Sequence, residues 1–154
     1  MILLKNLLIF FFLLFATNSS AKSFPVQTTP YISDYANLLD PETEARLTKT
    51  IVKLRQDLDL ELTIATIETR YDYGNFNSIE EFSYGLFKSW NLGNLARNDG
   101  VLILISRSDG EMRIEVGSSY GEIYNKRMGL VIQNHFLPYF QRRSLKFQLT
   151  RFML

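Results

Sequence analysis

Four oxygen-bearing side chains have the types and spacing that could hold a hard cation. Asp34 precedes the first predicted helix, Asn98 and Asp99 lie in the loop before an apolar strand, and Asn125 opens the last predicted helix. Ca²⁺ and Mg²⁺ prefer carboxylate and carbonyl oxygens. If these loops meet at one cleft, the sequence predicts a divalent-cation site there. The alternative is that Asp34 and Asp99 are turn and capping residues, a role that aspartate often has.

Other kinds of site have little support in the sequence. The chain has no cysteine and one histidine, which excludes a thiol nucleophile and a Cys-ligated metal. Neither the phosphate-binding P-loop nor the dinucleotide-binding glycine fingerprint is present, so no nucleotide or organic cofactor is predicted. We interpret His135 as a residue near a helix end rather than as a catalytic base.

Composition and charge indicate a folded domain that does not bind nucleic acid. The chain has 154 residues, 46% of them hydrophobic and 14% aromatic, which argues against disorder. Residues 22–141 carry 12 bases and 16 acids, and a nucleic-acid-binding domain should instead show a basic face. Residues 142–154 contain four bases and no acid, and we interpret them as a basic tail.

The first 21 residues have the pattern of a secretory signal peptide. Lys5 supplies the positive start, an apolar run covers 7–16, and Ser19 and Ala21 provide small side chains before a cleavage site. An uncleaved anchor is the alternative, but the apolar run is shorter than the roughly 20 residues that span a bilayer. We expect an exported, periplasmic or cell-envelope protein, soluble after cleavage, with an extended linker over 22–30.

Helix signals are strong in three places. Asp40 and Pro41 predict a helix start, since aspartate caps first-turn amides and proline fits the first helical position. The helix should cover 41–58, because leucine and isoleucine residues repeat on one face. Ser78 begins a second helix whose apolar face ends at Trp90, which we interpret as a core residue. A third helix is predicted from about 125 to 136.

The strands between these helices predict a small mixed sheet. Residues 60–67 alternate in polarity, and 100–105 is a continuous apolar run, typical of a strand covered on both faces. A turn at 107–110 and an alternating segment at 111–116 predict an antiparallel hairpin, in which Arg113 and Glu115 should form a solvated ion pair. The helix between the first two strands predicts a right-handed parallel crossover. The sequence therefore predicts a three-layer α/β/α sandwich.

Seven short segments in order resemble the TPM-domain family over about residues 26–141. They are YISDYANLL at 31–39, the strand at 62–67, FKSWNLG at 87–93, NDGVLIL at 98–104, RIEVG at 113–117, YNKRM at 124–128 and PYF at 138–140. The resemblance implies an exported or membrane-attached α/β/α domain, which we place at 31–141. The family includes a thylakoid lumen acid phosphatase and envelope proteins without a settled activity.

The resemblance carries over only in part. Asp34 matches the acid that opens the family domain, and Asp99 lies where the family has Asp or Asn before glycine. The acid expected near the start of the last helix is replaced by Asn125. Family members usually continue beyond the position of residue 141 with a longer helix, so the tail is also open to interpretation as a truncated end.

Two functions from different classes follow from the sequence. The first is a non-enzymatic envelope accessory or interaction module, with a weak Ca²⁺ or Mg²⁺ site and a membrane-protein complex as partner. The second is a metal-assisted acid phosphatase, in which Asp34 and Asp99 hold a metal that polarises phosphate.

Overall fold

The chain alternates strands and helices along most of its length. The structure is a computed structural model that describes residues 22–93 and 96–136. Its regular elements are β1 (Ile32–Asp34), α1 (Pro41–Leu58), β2 (Leu62–Ile67), α2 (Ile79–Ser89), β3 (Val101–Ser106), β4 (Glu111–Val116) and α3 (Gly121–Val131). Short 3₁₀ turns cover Arg70–Tyr73 and Ser118–Tyr120, and a π-helical turn covers Ile132–Phe136. The predicted signal peptide and basic tail lie outside the described residues.

The four strands form one mixed sheet in the order β1-β2-β3-β4. β1, β2 and β3 are parallel, and β4 returns antiparallel to β3 through the 107–110 turn. The predicted parallel crossover and hairpin are therefore confirmed. β1 was not predicted from the sequence, because Asp34 was expected to lie in a loop. Its three residues pair with Ile64, Ala65 and Thr66.

Helices cover both faces of the sheet, which confirms the predicted α/β architecture. α1 packs with Ile32 and Ile64 on one face, and α3 contributes to the cluster of Ile105 and Ile114 on that same face. α2 covers the other face, where its apolar residues meet Ala65, Leu102 and Leu104. The alternation of side chains along β2 and β3 separates these layers.

The two parallel crossovers cannot have the same hand. Strand order advances in one direction from β1 to β2 to β3. Two right-handed crossovers would then place α1 and α2 on one face, but they lie on opposite faces. One of the two connections therefore departs from the right-handed rule that we applied to the β2–β3 crossover.

Helix starts follow the capping chemistry expected from the sequence. The Asp40 side chain accepts a hydrogen bond from the amide of Thr43, and α1 runs from Pro41 to Leu58 as predicted. The Ser78 hydroxyl accepts one from the amide of Glu81 at the start of α2. The last helix begins at Gly121 rather than at 125, because the Ser118–Tyr120 turn leads directly into it through a glycine with φ of +72°.

The segment interpreted as a linker has no regular secondary structure, yet it lies against the core. Phe24 contacts the rings of Phe76 and Phe82 at centroid distances of 5.4 and 5.5 Å. The Pro25 carbonyl accepts a 2.7 Å hydrogen bond from the indole nitrogen of Trp90. We call residues 22–28 the N-terminal strap. Trp90 packs against the core beneath it, as predicted.

Candidate functional site

Asp34 closes the turn between β1 and α1. Its Oδ1 accepts from the amide of Leu38 at 3.0 Å, and its Oδ2 accepts from the amide of Leu39 at 2.8 Å. The Thr66 hydroxyl donates a further hydrogen bond to Oδ1. The carboxylate thus accepts from two amides of the following turn and from Thr66 on β2, which agrees with the turn-and-capping alternative considered from the sequence.

Asn98 and Asp99 are neighbours in sequence but belong to different surfaces. Asn98 lines a cleft beside α2 and donates from Nδ2 to the Ser118 hydroxyl at 2.6 Å. Asp99 lines a smaller concavity of about 180 Å³, where its Oδ2 lies 2.5 Å from Nε of Arg97. The same guanidinium pairs with Asp59 at 2.7 Å. These two carboxylates raise the pKa of Arg97, first through hydrogen bonds and then through charge.

The structure does not bring Asp34 and Asp99 together, so the prediction of one cleft holding both is wrong. Asp34 aligns with Thr66 and, through β2, with Ile105 near the end of β3. Asp99 lies before the start of β3. Six residues at the usual strand rise separate the two levels by about 20 Å. Asp34 is the last residue of β1, and Asp99 precedes the first residue of β3. Because β1, β2 and β3 are parallel, the two aspartates lie at opposite ends of the strands.

The backbone position of Asn125 is described, and its predicted role as a ligand stays a prediction. Its backbone lies within α3, about two turns beyond Ser118. Within residues 22–93 and 96–136, no group of three or more His, Asp or Glu side chains is placed to hold a metal ion. Asp34, Asn98 and Asp99 therefore do not form a shared Ca²⁺ or Mg²⁺ site.

The cleft that Asn98 lines lies between α2 and the end of β4. It has a volume of about 380 Å³, which is within the size range of small-molecule sites. We call it the α2–β4 cleft. Its polar lining consists of Lys88, Asn91, Asn98, Glu115 and Ser118, and Tyr84 stands at its exposed side.

Glu115 is the buried ionisable group of this cleft. Its side chain is 9% exposed, and Oε2 accepts from Nε of Arg113 at 3.2 Å. Burial raises the pKa of Glu115, the charge and hydrogen bond of Arg113 lower it, and the charge of Glu80 raises it, with a net upward shift. The expected pair with Arg113 does form, but its description as solvated is wrong, because α2 covers this face of β4.

Lys88 supplies the opposite charge on the exposed side of the cleft. Its Nζ lies 5.1 Å from the ring centroid of Tyr84, four residues earlier on α2. Within the described residues, Lys88 and Glu115 form no ion pair with each other, although both line the cleft. The cleft therefore presents one cationic and one anionic group that remain separate.

Backbone geometry makes the floor of the cleft rigid. Asn91 and Asn98 both have φ of +50°, a left-handed conformation that asparagine adopts more readily than other non-glycine residues. The Asn98 carbonyl accepts from the amide of Ser119 at 3.3 Å, and Gly117 packs directly against that carbonyl. Such positions persist where surrounding contacts hold them, and they are concentrated at functional sites.

Sequence analysis missed two features here. Gly117–Gly121 reads G-S-S-Y-G, the spacing of a nucleophile elbow, with Ser119 between β4 and α3. Ser119 does not have the positive φ of a strained elbow, and no described side chain contacts its hydroxyl as a base. The burial of Glu115 was the second, and it results from the packing of α2 on this face of β4.

The TPM domain family accounts for most of the chain. A model of this family matches residues 32–147, and the protein belongs to it. No curated protein matches the sequence. Among the described residues, no helix has both the length and the apolar character needed to cross a membrane.

Two solved structures share the fold. The N-terminal domain of a protein from P. gingivalis is 20% identical with a TM-score of 0.67, and the match covers 80% of this chain and 76% of that one. The N-terminal domain of the cg2496 protein from Corynebacterium glutamicum is 11% identical with a TM-score of 0.56, and the match covers 87% and 83%. At these identities the likeness establishes the fold alone.

Proposed function

We propose that this TPM-domain protein is a non-enzymatic binding module of the cell envelope, and that the α2–β4 cleft is its binding site. The observation that carries the proposal is the convergence of buried Glu115, exposed Lys88 and two asparagines with left-handed backbones on one concavity. A concave site with a few convergent polar groups and a perturbed carboxyl is the usual form of a binding site.

Binding rather than turnover is favoured by the hydroxyls near the cleft. The Ser118 hydroxyl accepts from the amide side chain of Asn98, and an amide cannot take up a proton as a general base. Ser119 has no base among its described contacts. These serines are therefore hydrogen-bonding groups in the proposal.

The envelope location rests on the signal pattern at 1–21 and on membership of a family with exported members. The partner is a membrane-protein complex that contacts the exposed side of the cleft. Tyr84, on the exposed side of the cleft, is well placed to contact such a partner.

Site-specific photo-cross-linking in intact cells tests this function. A benzoylphenylalanine at Tyr84 should give a discrete adduct with an envelope protein, and Lys88→Met should reduce that adduct. The control position is Lys53, which is exposed on α1 in the opposite layer. Equal adducts from both positions, or none from Tyr84, would contradict the proposal.

The phosphatase alternative requires carboxylates that share a metal, and Asp34 and Asp99 lie at opposite ends of the strands. We expect no turnover of p-nitrophenyl phosphate with added Ca²⁺ or Mg²⁺. Turnover that Asp34→Asn and Asp99→Asn both abolish would instead support the enzyme.

A further inference from the structure

We infer that the α2–β4 cleft recognises a small zwitterion of the amino-acid or short-peptide class. Glu115 would receive its ammonium group and Lys88 its carboxylate. This inference rests on the proposed function, because it names the ligand chemistry of the same cleft.

Glu115 has an acceptor available for the ammonium group. Arg113 Nε donates to Oε2, which leaves Oε1 as the oxygen that a ligand in the cleft would meet. A carboxylate oxygen accepts a charge-assisted hydrogen bond from an ammonium group, and such bonds are stronger than those between neutral groups.

Lys88 has donors available for the carboxylate. Among the described residues, Lys88 makes a cation–π contact with Tyr84 and donates no hydrogen bond. The ammonium of lysine carries three N–H donors. A carboxylate on the exposed side of the cleft would therefore gain charge-assisted hydrogen bonds.

The charge balance of the site favours a ligand without net charge. Lys88 and Arg113 are offset by Glu115 and by Glu80, whose charge acts on Glu115. An anion alone would lie near the negative charge of Glu115. A cation alone would lie near Lys88 and compete with Arg113. A zwitterion oriented between Glu115 and Lys88 meets neither penalty.

Calorimetric titration of the purified protein with the dipeptide Ala-Ala tests the inference. N-acetyl-Ala-Ala lacks the ammonium group and Ala-Ala-amide lacks the carboxylate, so each should bind at least about tenfold more weakly. Lys88→Met should weaken Ala-Ala binding by about tenfold, while Lys53→Met on α1 should leave it unchanged. Glu115→Gln should weaken Ala-Ala binding as the loss of the ammonium group does. Glu122→Gln on α3 is its control and should leave binding unchanged.

Three results would overturn the inference. They are equal binding of the acetylated dipeptide, tighter binding of a neutral sugar such as N-acetylglucosamine, and absence of saturable Ala-Ala binding. Lys88→Met changes an exposed residue, so the test does not depend on Glu115→Gln folding. If the dipeptide fails to bind but the Tyr84 adduct still depends on Lys88, the inference fails and the proposed function stands.

Discussion

The Cα of Gly117 lies so close to the Asn98 carbonyl that an added Cβ would be 1.9 Å from the oxygen. This contact joins the end of β4 to the loop before β3, with a hydrogen bond from the Gly117 amide to the Gly100 carbonyl at 2.9 Å. It fixes the floor of the α2–β4 cleft. The cleft geometry therefore depends on a glycine at this position.

Gly117→Ala should destabilise the protein by at least about 2 kcal/mol, because backbone rather than a flexible side chain must move. Urea unfolding measures the change. Gly129→Ala is the matched control: it lies in α3 with nothing within 4 Å of an added Cβ. It should leave stability unchanged or raise it by up to about 1 kcal/mol. Equal effects of the two substitutions would show that the Gly117 contact is not tight.

Asp34→Ala should reduce stability by about 1–2 kcal/mol, because it removes the acceptor for the Leu38 and Leu39 amides. Thermal unfolding measures the loss, which should be the same with and without Ca²⁺. Asp57→Ala, an exposed change on α1, should have little effect. A Ca²⁺-dependent stabilisation that disappears in Asp34→Ala would restore the cation role.

Loss of stability in acid should involve Asp109, whose carboxylate pairs with Arg70. Burial alone would raise the pKa of Asp109, but hydrogen bonds from Ser106, the Arg70 amide and Thr69, with the Arg70 charge, lower it below its usual value of 3.8. A carboxyl with a depressed folded-state pKa stabilises the protein above its unfolded-state pKa. That contribution is lost as the pH falls below about 4 and through the folded-state value.

Asp109→Asn tests this assignment. Stability at neutral pH should fall, and the acid-dependent loss should become shallower in urea unfolding measured from pH 2 to pH 7. Asp57→Asn again serves as an exposed control. An unchanged acid limb in Asp109→Asn would assign the loss to other carboxylates.

Glu115 should show the opposite sign. Its pKa is raised above the usual 4.5, mainly by burial, so the folded state binds a proton more tightly than the unfolded chain does. Stability from this group is present below about pH 4.5 and decreases as the pH rises through the folded-state pKa. Carboxyl NMR titration should find its midpoint above 4.5, and a midpoint at or below that value would contradict the burial seen here.

The N-terminal strap should contribute measurably to stability. Phe24→Ala removes contacts with Phe76 and Phe82, and the expected cost is about 2–3 kcal/mol for a half-buried ring. The chain has one tryptophan, and its indole donates to Pro25, so its fluorescence reports on undocking of the strap. Val26→Ala, at an exposed position, should change neither signal.

Local signals in the sequence were enough for much of the fold. Asp40 and Pro41 predicted the first residue of α1, and the 107–110 turn predicted the β3–β4 hairpin. β1 was missed because three residues are too few to show periodicity. That omission placed Asp34 in a loop free to approach Asp99. Because these residues form a strand, the two aspartates lie at opposite ends of the parallel strands.

The site depends on tertiary contacts that no short pattern encodes. Glu115 alternates along β4 like a surface residue, and only the packing of α2 on that face buries it. Lys88 and Glu115 are far apart in sequence. Both line one cleft because β4 lies at the edge of the sheet. The opposite hands of the two crossovers could not be predicted either, because the rule for such connections favours the right hand.

The most direct test is amide NMR of the purified protein titrated with Ala-Ala and, separately, with Ca²⁺. The account predicts that the dipeptide shifts the signals of Asn91, Asn98 and Ser118, and that Ca²⁺ produces no joint response at Asp34 and Asp99. Saturable shifts of both aspartates with Ca²⁺, together with an unresponsive cleft, would contradict it.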